Sequence, residues 1–180
     1  MPGRPLSRQR GAALIEFAII APLLFALIFG VIDFGFAFND YIQVRQGSRE
    51  ATRQSVTARL GSDTSCTVAA PAPTNTQVLR LICLAKNRVD LPEENVRVKI
   101  NVEEPYNDRN SLQVCVMAKL QSMSGFYGQL LDSKVVQSSV QMRIEQTTDD
   151  LAAADVEDLV NFQETPLPGQ TFNCTLATTV

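Results

Sequence analysis

Residues 8–34 read RQRGAALIEFAIIAPLLFALIFGVIDF, and how this stretch is understood decides the fold. Arg8 and Arg10 come first, then Gly11, four small or aliphatic residues, and a carboxylate at Glu16. From Phe17 to Ile32 sixteen residues pass without a charge. As an α-helix at ~1.5 Å per residue they cover roughly 24 Å, and continuing past Asp33 to Phe38 reaches the ~30 Å of bilayer hydrocarbon. The stretch therefore predicts a transmembrane helix over residues 12–38. Arg4, Arg8 and Arg10 give the first eleven residues a charge of +3 with no acid. Such a start stays cytoplasmic, which places the remainder outside. Arg45, Arg49 and Arg53 weaken that asymmetry, and Asp33, Asp40 and Glu50 partly offset them.

A cleaved secretory signal is the first rival, since Gly35-Phe36-Ala37 offers a small-x-small cleavage site. The length of the apolar core argues against it. So does Glu16, a carboxylate whose burial is costly and from which a signal peptide gains nothing.

The whole chain has 180 residues and a formal net charge of -3, unevenly spread. Beyond Arg143 there is no basic residue, while Glu145, Asp149, Asp150, Asp155, Glu157, Asp158 and Glu164 make the tail acidic. The stretch between leader and tail is close to balance, so the concentrated basic face that nucleic-acid binding needs is missing. Histidine is absent, which removes the commonest general base and neutral metal ligand. Cys66, Cys83, Cys115 and Cys174 all come after the apolar run. Four widely spaced cysteines without a C-x-x-C fit two disulfides better than a zinc site, and hence an oxidising compartment. No metal, cofactor or catalytic residue is expected. Adjacent acids such as Glu93-Glu94, Glu103-Glu104 and Asp149-Asp150 do not converge on one substrate and read as solvated charges.

Gly11, Ala12-Ala13-Leu14-Ile15 and Glu16-Phe17 resemble the processing site of prepilins, which are cut after the glycine. The stretch LFALIFGVIDFGFAFNDYIQVRQGSREATR, residues 24–53, is similar to the TadE/TadG-like pseudopilins of tight-adherence pilus systems. The likeness covers about a quarter of the chain. It implies cleavage between Gly11 and Ala12 by a prepilin peptidase, which needs an unhindered bond. It also implies an assembly role for Glu16 and Phe17: the new Ala12 amine of one subunit would pair with Glu16 of a neighbour. In low dielectric such a pair penalises wrong registers. The chemistry of Glu16 alone leaves a second possibility, a carboxylate that snorkels to the interface. Asp33 within "DFG" lacks every companion motif of a kinase; it reads as an interfacial acid, ahead of a partner for an arginine such as Arg45 on another subunit. Ala18, Pro22, Ala26 and Gly30 form a small-residue stripe that permits close helix approach in lipid, and Pro22 loosens the helix.

Past the membrane the helix is expected to run on to about Arg59. Tyr41, Val44, Ser48, Ala51, Ser55 and Ala58 lie at helical spacing, and Arg45, Arg49 and Arg53 form a solvated face. After a Ser/Thr/Pro-rich loop, QVLRLICLAKN (77–87) predicts a short amphipathic helix with its cap at Thr74 to Thr76. NVRVKINVE and LQVCVMAKLQ alternate strictly, and VVQSSVQMRIEQ places Val136, Val140, Met142 and Ile144 on one face. PYNDRNS reads as a turn. A small antiparallel sheet with one apolar face needs the helices as its cover. Cys115 faces the other, more polar side, within reach of the tail and Cys174. That favours Cys66–Cys83 with Cys115–Cys174, one of three possible connectivities.

The expected fold class is therefore α+β and pilin-like, with five segments. Residues 1–11 are a cytoplasmic leader, 12–38 the transmembrane helix and 39–60 its outer continuation. Residues 61–146 form the extracytoplasmic domain, and 147–180 an acidic tail tied back by a cysteine. The expected function is that of a minor pseudopilin of a tight-adherence (Flp) type IV pilus or related secretion system. Its partners would be the prepilin peptidase, other pilin and pseudopilin subunits, an inner-membrane assembly platform and membrane lipid. The expected location is the bacterial cell membrane, crossed once. The alternative is an uncleaved, signal-anchored binding domain with no pilus role; a secreted protein cut near Ala37 is weaker still.

Overall fold

The computed structural model describes residues 7–57, 59–103, 110–145 and 162–176, without the side chains of 7–10. Ala58, Glu104, most of the PYNDRNS turn and the acids from Asp149 to Asp158 lie outside the described residues, as do the first six residues of the leader.

Helix α1 runs from Ser7–Val56 with Pro22 inside it. Much of its first half is uncovered by the described residues: Leu14, Ile15, Ile19, Leu23, Leu27 and Val31 are all exposed. Its second half is clamped, with Val44, Ser48, Ala51, Thr52, Ser55 and Val56 buried. Small side chains let this half lie close to the sheet, and its hydroxyls are satisfied locally. Thr52 Oγ1 donates to Ser48 O at 2.7 Å and Ser55 Oγ to Thr52 O at 2.8 Å. Tyr41, expected on the same stripe, is exposed.

Helix α2 spans Thr76–Asn87 and starts where Asn75 caps it, the Asn75 side chain accepting from the Gln77 amide at 2.7 Å. Val78, Leu81, Ile82 and Ala85 pack inward at helical spacing. A 3-10 turn at Glu93–Asn95 leads into β1, Val96–Val102, and then comes β2, Ser111–Lys119. A single short turn of helix, α3 at Gly128–Leu131, precedes β3, Val135–Arg143. The three strands form one antiparallel sheet in the order β1-β2-β3, with Val98 opposite Val116 and Val114 opposite Val140. The inward valines meet α1 and α2 in one core that includes Val44, Leu81, Ile82, Val98, Ile100, Val114, Val116 and Ile144. The α+β class expected from the sequence is what the structure shows.

The second face of the sheet departs from the half-buried expectation. β2 is buried along almost its whole length, on both faces, because the tail lies across it. Phe162 and Glu164 bond to β1 through Ile100 N–Phe162 O at 2.8 Å and Glu164 N–Val98 O at 3.1 Å. The polar side chains of that face hold the end of the tail. Asn101 Nδ2 donates to Cys174 O at 3.3 Å, Gln113 Nε2 to Thr175 O at 3.1 Å, and Gln137 Oε1 accepts from Asn173 N at 3.3 Å. Cys115 is bonded to Cys174 across this face, with Cα atoms 6.5 Å apart. Cys66 is bonded to Cys83, at 5.3 Å, fastening the long loop to α2.

Candidate membrane and assembly surface

Among the described residues nothing packs on the entry to α1. Gly11 and Ala12 lie within the helix and are exposed, and a Cβ built on Gly11 would meet nothing within 4 Å. Glu16 and Phe17 are exposed one turn further on. The four residues thus share the free end of a helix that is long and apolar enough to cross a membrane. Among the described residues no other element comes near them.

Asp33 is the unexpected member of this surface. Expected as an interfacial acid, it is fully buried within the chain against the connection between β2 and β3. Its carboxylate accepts from Ser122 Oγ at 2.7 Å, Ser124 Oγ at 2.7 Å and Ser124 N at 2.9 Å. Beside it, Tyr127 donates its hydroxyl to Ala26 O at 3.0 Å. A Cβ on Gly30 would meet the same ring at 3.4 Å, so the tyrosine packs against the helix at this glycine. Phe126 packs on Phe29 with ring centroids 5.7 Å apart, and Tyr127 on Phe34 at 5.9 Å. Part of the small-residue stripe is therefore used inside the chain. The signal for this contact was present in the sequence as SMSGFY, a hydroxyl-rich, uncharged, aromatic loop, but its target lies about ninety residues upstream.

Above this point the helix becomes polar. Asp40 is buried, and burial together with the nearby Asp90 pushes its carboxyl above the ordinary range. Further out, Arg49, Arg53 and Arg88 line an open groove of about 670 Å³ with Gln46, Glu50, Val140 and Met142. Glu50 accepts two bonds from Arg53, at 3.0 and 3.1 Å, which hold its carboxyl below the usual range. Arg45, Arg49 and Arg53 are exposed, the solvated face the spacing suggests. Among the described residues no three His, Cys, Asp or Glu side chains are grouped to hold a metal.

A buried ion pair ties the tail to α2. Lys86 Nζ lies 2.7 Å from Glu164 Oε1, both side chains out of water. Glu164 also accepts from the Ala69 and Val98 amides at 2.7 and 2.6 Å, and Lys86 donates to Thr67 O at 2.7 Å. With both charges paired and each held by further hydrogen bonds to backbone, this cluster is structural.

No curated protein and no solved structure matches the chain. Residues 11–53, nearly all of α1 beyond its first turn, match the family model described as TadE-like protein, so the chain carries a TadE-like helix and is consistent with a TadE-like, pilin-family protein.

Proposed function

We propose that this chain is a minor pseudopilin, a structural and assembly subunit of a tight-adherence type IV pilus or a related secretion system. The observation that carries the reading is the division of α1. Its inner stretch is largely bare and apolar with Glu16 at its entrance; its outer half is locked to a disulfide-bonded domain. A bare apolar helix is stable only in lipid or among similar helices, and both are what a pilin subunit meets in turn. The TadE-like match supports the pilus association and a structural rather than catalytic role.

In this reading a prepilin peptidase cuts between Gly11 and Ala12, where the backbone is unobstructed. The new amine lies about 6 Å from the Glu16 level, four residues along the helix. In a neighbouring subunit shifted along the bundle, amine and carboxylate pair, and Phe17 packs beside them. The assembly platform and other pilin subunits are the partners, with the C-terminal domain on the extracytoplasmic side.

The mass of the chain purified from its native envelope tests this. A mature start at Ala12 is expected; a start at Met1 favours the uncleaved anchored domain, and one at Phe38 a secreted protein. Glu16→Gln is expected to leave cleavage and insertion intact and to reduce incorporation into the assembled machine at least several-fold. Normal incorporation would remove the role assigned to Glu16.

A further inference from the structure

Residues 120–131, LQSMSGFYGQLL, contain no charged side chain and lie between Lys119 and Asp132. They do not project away from the domain into water. They fold down along α1 and dock on Ala26, Phe29, Gly30, Asp33 and Phe34, within the apolar run itself. Counted at ~1.5 Å per residue, Asp33 stands roughly 25 Å above Glu16 along the helix. With Glu16 at the inner boundary of a ~30 Å hydrocarbon layer, Asp33 and the docked loop are inside its outer edge.

We propose that this connection is a membrane-seated wedge: residues 122–131 sit in the outer leaflet beside α1, and Met123, Phe126 and Leu130 contact lipid. The proposal rests on the reading of α1 as a membrane helix. Two observations point to lipid as the occupant. The first is exposure: Met123, Phe126 and Leu130 leave 66%, 58% and 52% of their surface uncovered, large apolar side chains on an otherwise tightly bonded loop. They continue the bare surface of α1, where Phe25, Ile28, Val31 and Ile32 are also exposed at the same level.

The second is hydrogen bonding. Irregular backbone survives at membrane depth only if its amides are answered within the protein. Here they are. Ser122 N donates to Asp132 Oδ1, Ser124 N to Asp33 Oδ1, Gly125 N to Ser122 Oγ and Phe126 N to Ser124 Oγ. Gly128, Leu130 and Leu131 amides donate to the carbonyls of Gly125 and Tyr127. Asp33 takes its place in the same logic. A carboxylate on a membrane helix is costly alone, and the loop brings it three donors. Gly125, with φ 73, makes the sharp turn that returns the chain to the helix.

The chain has no tryptophan, so a single introduced indole reports without background. Phe126→Trp, Leu130→Trp, Phe25→Trp and Thr64→Trp variants of the full chain are reconstituted, at no more than one copy per vesicle, in phosphatidylcholine with or without bromine on the acyl chains. Bromine is expected to quench positions 25, 126 and 130 at least two-fold and to leave Thr64→Trp unchanged. Leu130→Trp gives a second reading of the loop should Phe126→Trp perturb it. Quenching at 25 but at neither 126 nor 130 overturns the wedge and leaves the anchor standing, whether water or a second copy of the chain covers the loop. Absence of quenching at all three overturns the membrane reading of α1 and the wedge with it.

Discussion

Glu164 belongs by composition to an acidic tail, yet in three dimensions it is a core residue. Its carboxylate is shared between Lys86 and two backbone amides from different parts of the chain. Breaking a buried pair by removing one partner costs about 3–5 kcal/mol, because the other charge stays behind. Lys86→Met and Glu164→Gln are each expected to destabilise by that order. The double variant should cost clearly less than the sum, since the glutamine carbonyl still accepts an amide and no charge is stranded. Urea unfolding of the four proteins closes the cycle; additive losses would mean that Lys86 and Glu164 act separately. Neither residue was legible as a pair. Their separation of 78 positions leaves no local pattern, and Lys86 reads as the polar end of an amphipathic helix. Asp33 was equally opaque. Its own neighbourhood says membrane boundary, and only the descent of a distant loop turns it into an acceptor for Ser122 and Ser124.

Among the elements, periodicity carried most of the information. The uncharged run at Phe17 to Ile32 and the alternation of Val96, Val98 and Ile100 are local properties, and α1 and β1 form because of them. What periodicity does not carry is how closely two elements approach. Gly47 shows this: a Cβ there would lie 2.9 Å from Val89 Cγ2 and 3.1 Å from the Ala85 carbonyl. In an exposed helix, alanine in place of glycine gains about 1 kcal/mol from backbone entropy. At this crossing the gain is outweighed, because the valine is stiff and the carbonyl belongs to α2. Gly47→Ala is expected to destabilise by about 1–2 kcal/mol net, overpacking being worth about 1–3 kcal/mol. Thermal unfolding in detergent measures it, with Gly35→Ala as the control, since Gly35 has nothing within 4 Å. A stabilised Gly47→Ala protein would show that α2 can retreat freely from α1.

At the scale of the molecule the tail decides how the sheet is closed. Strand alternation suggests one wet face, but residues 162–176 cover it, and the covering depends on three attachments of different kinds. The Phe162 and Glu164 backbone bonds to β1 come first along the chain, then the Lys86 ion pair, then the Cys115–Cys174 bond. The bond closes a sequence separation of 59, against 17 for Cys66–Cys83. In the chain-entropy account these loops are worth about 4 and 3 kcal/mol. Replacing Cys115 and Cys174 by alanine is therefore expected to lower stability by about 4 kcal/mol in urea unfolding. It should also loosen the tail unequally. Residues near Phe172 lose their covalent anchor and keep only side-chain amide contacts from Asn101, Gln113 and Gln137. Phe162 and Glu164 keep the ladder bonds and the ion pair. Brief chymotrypsin treatment of the folded variant, read by mass, should cut after Phe172 well before Phe162, while the parent resists at both. Simultaneous cutting at both sites would mean that the disulfide, rather than β1 and Lys86, holds the whole segment against the sheet.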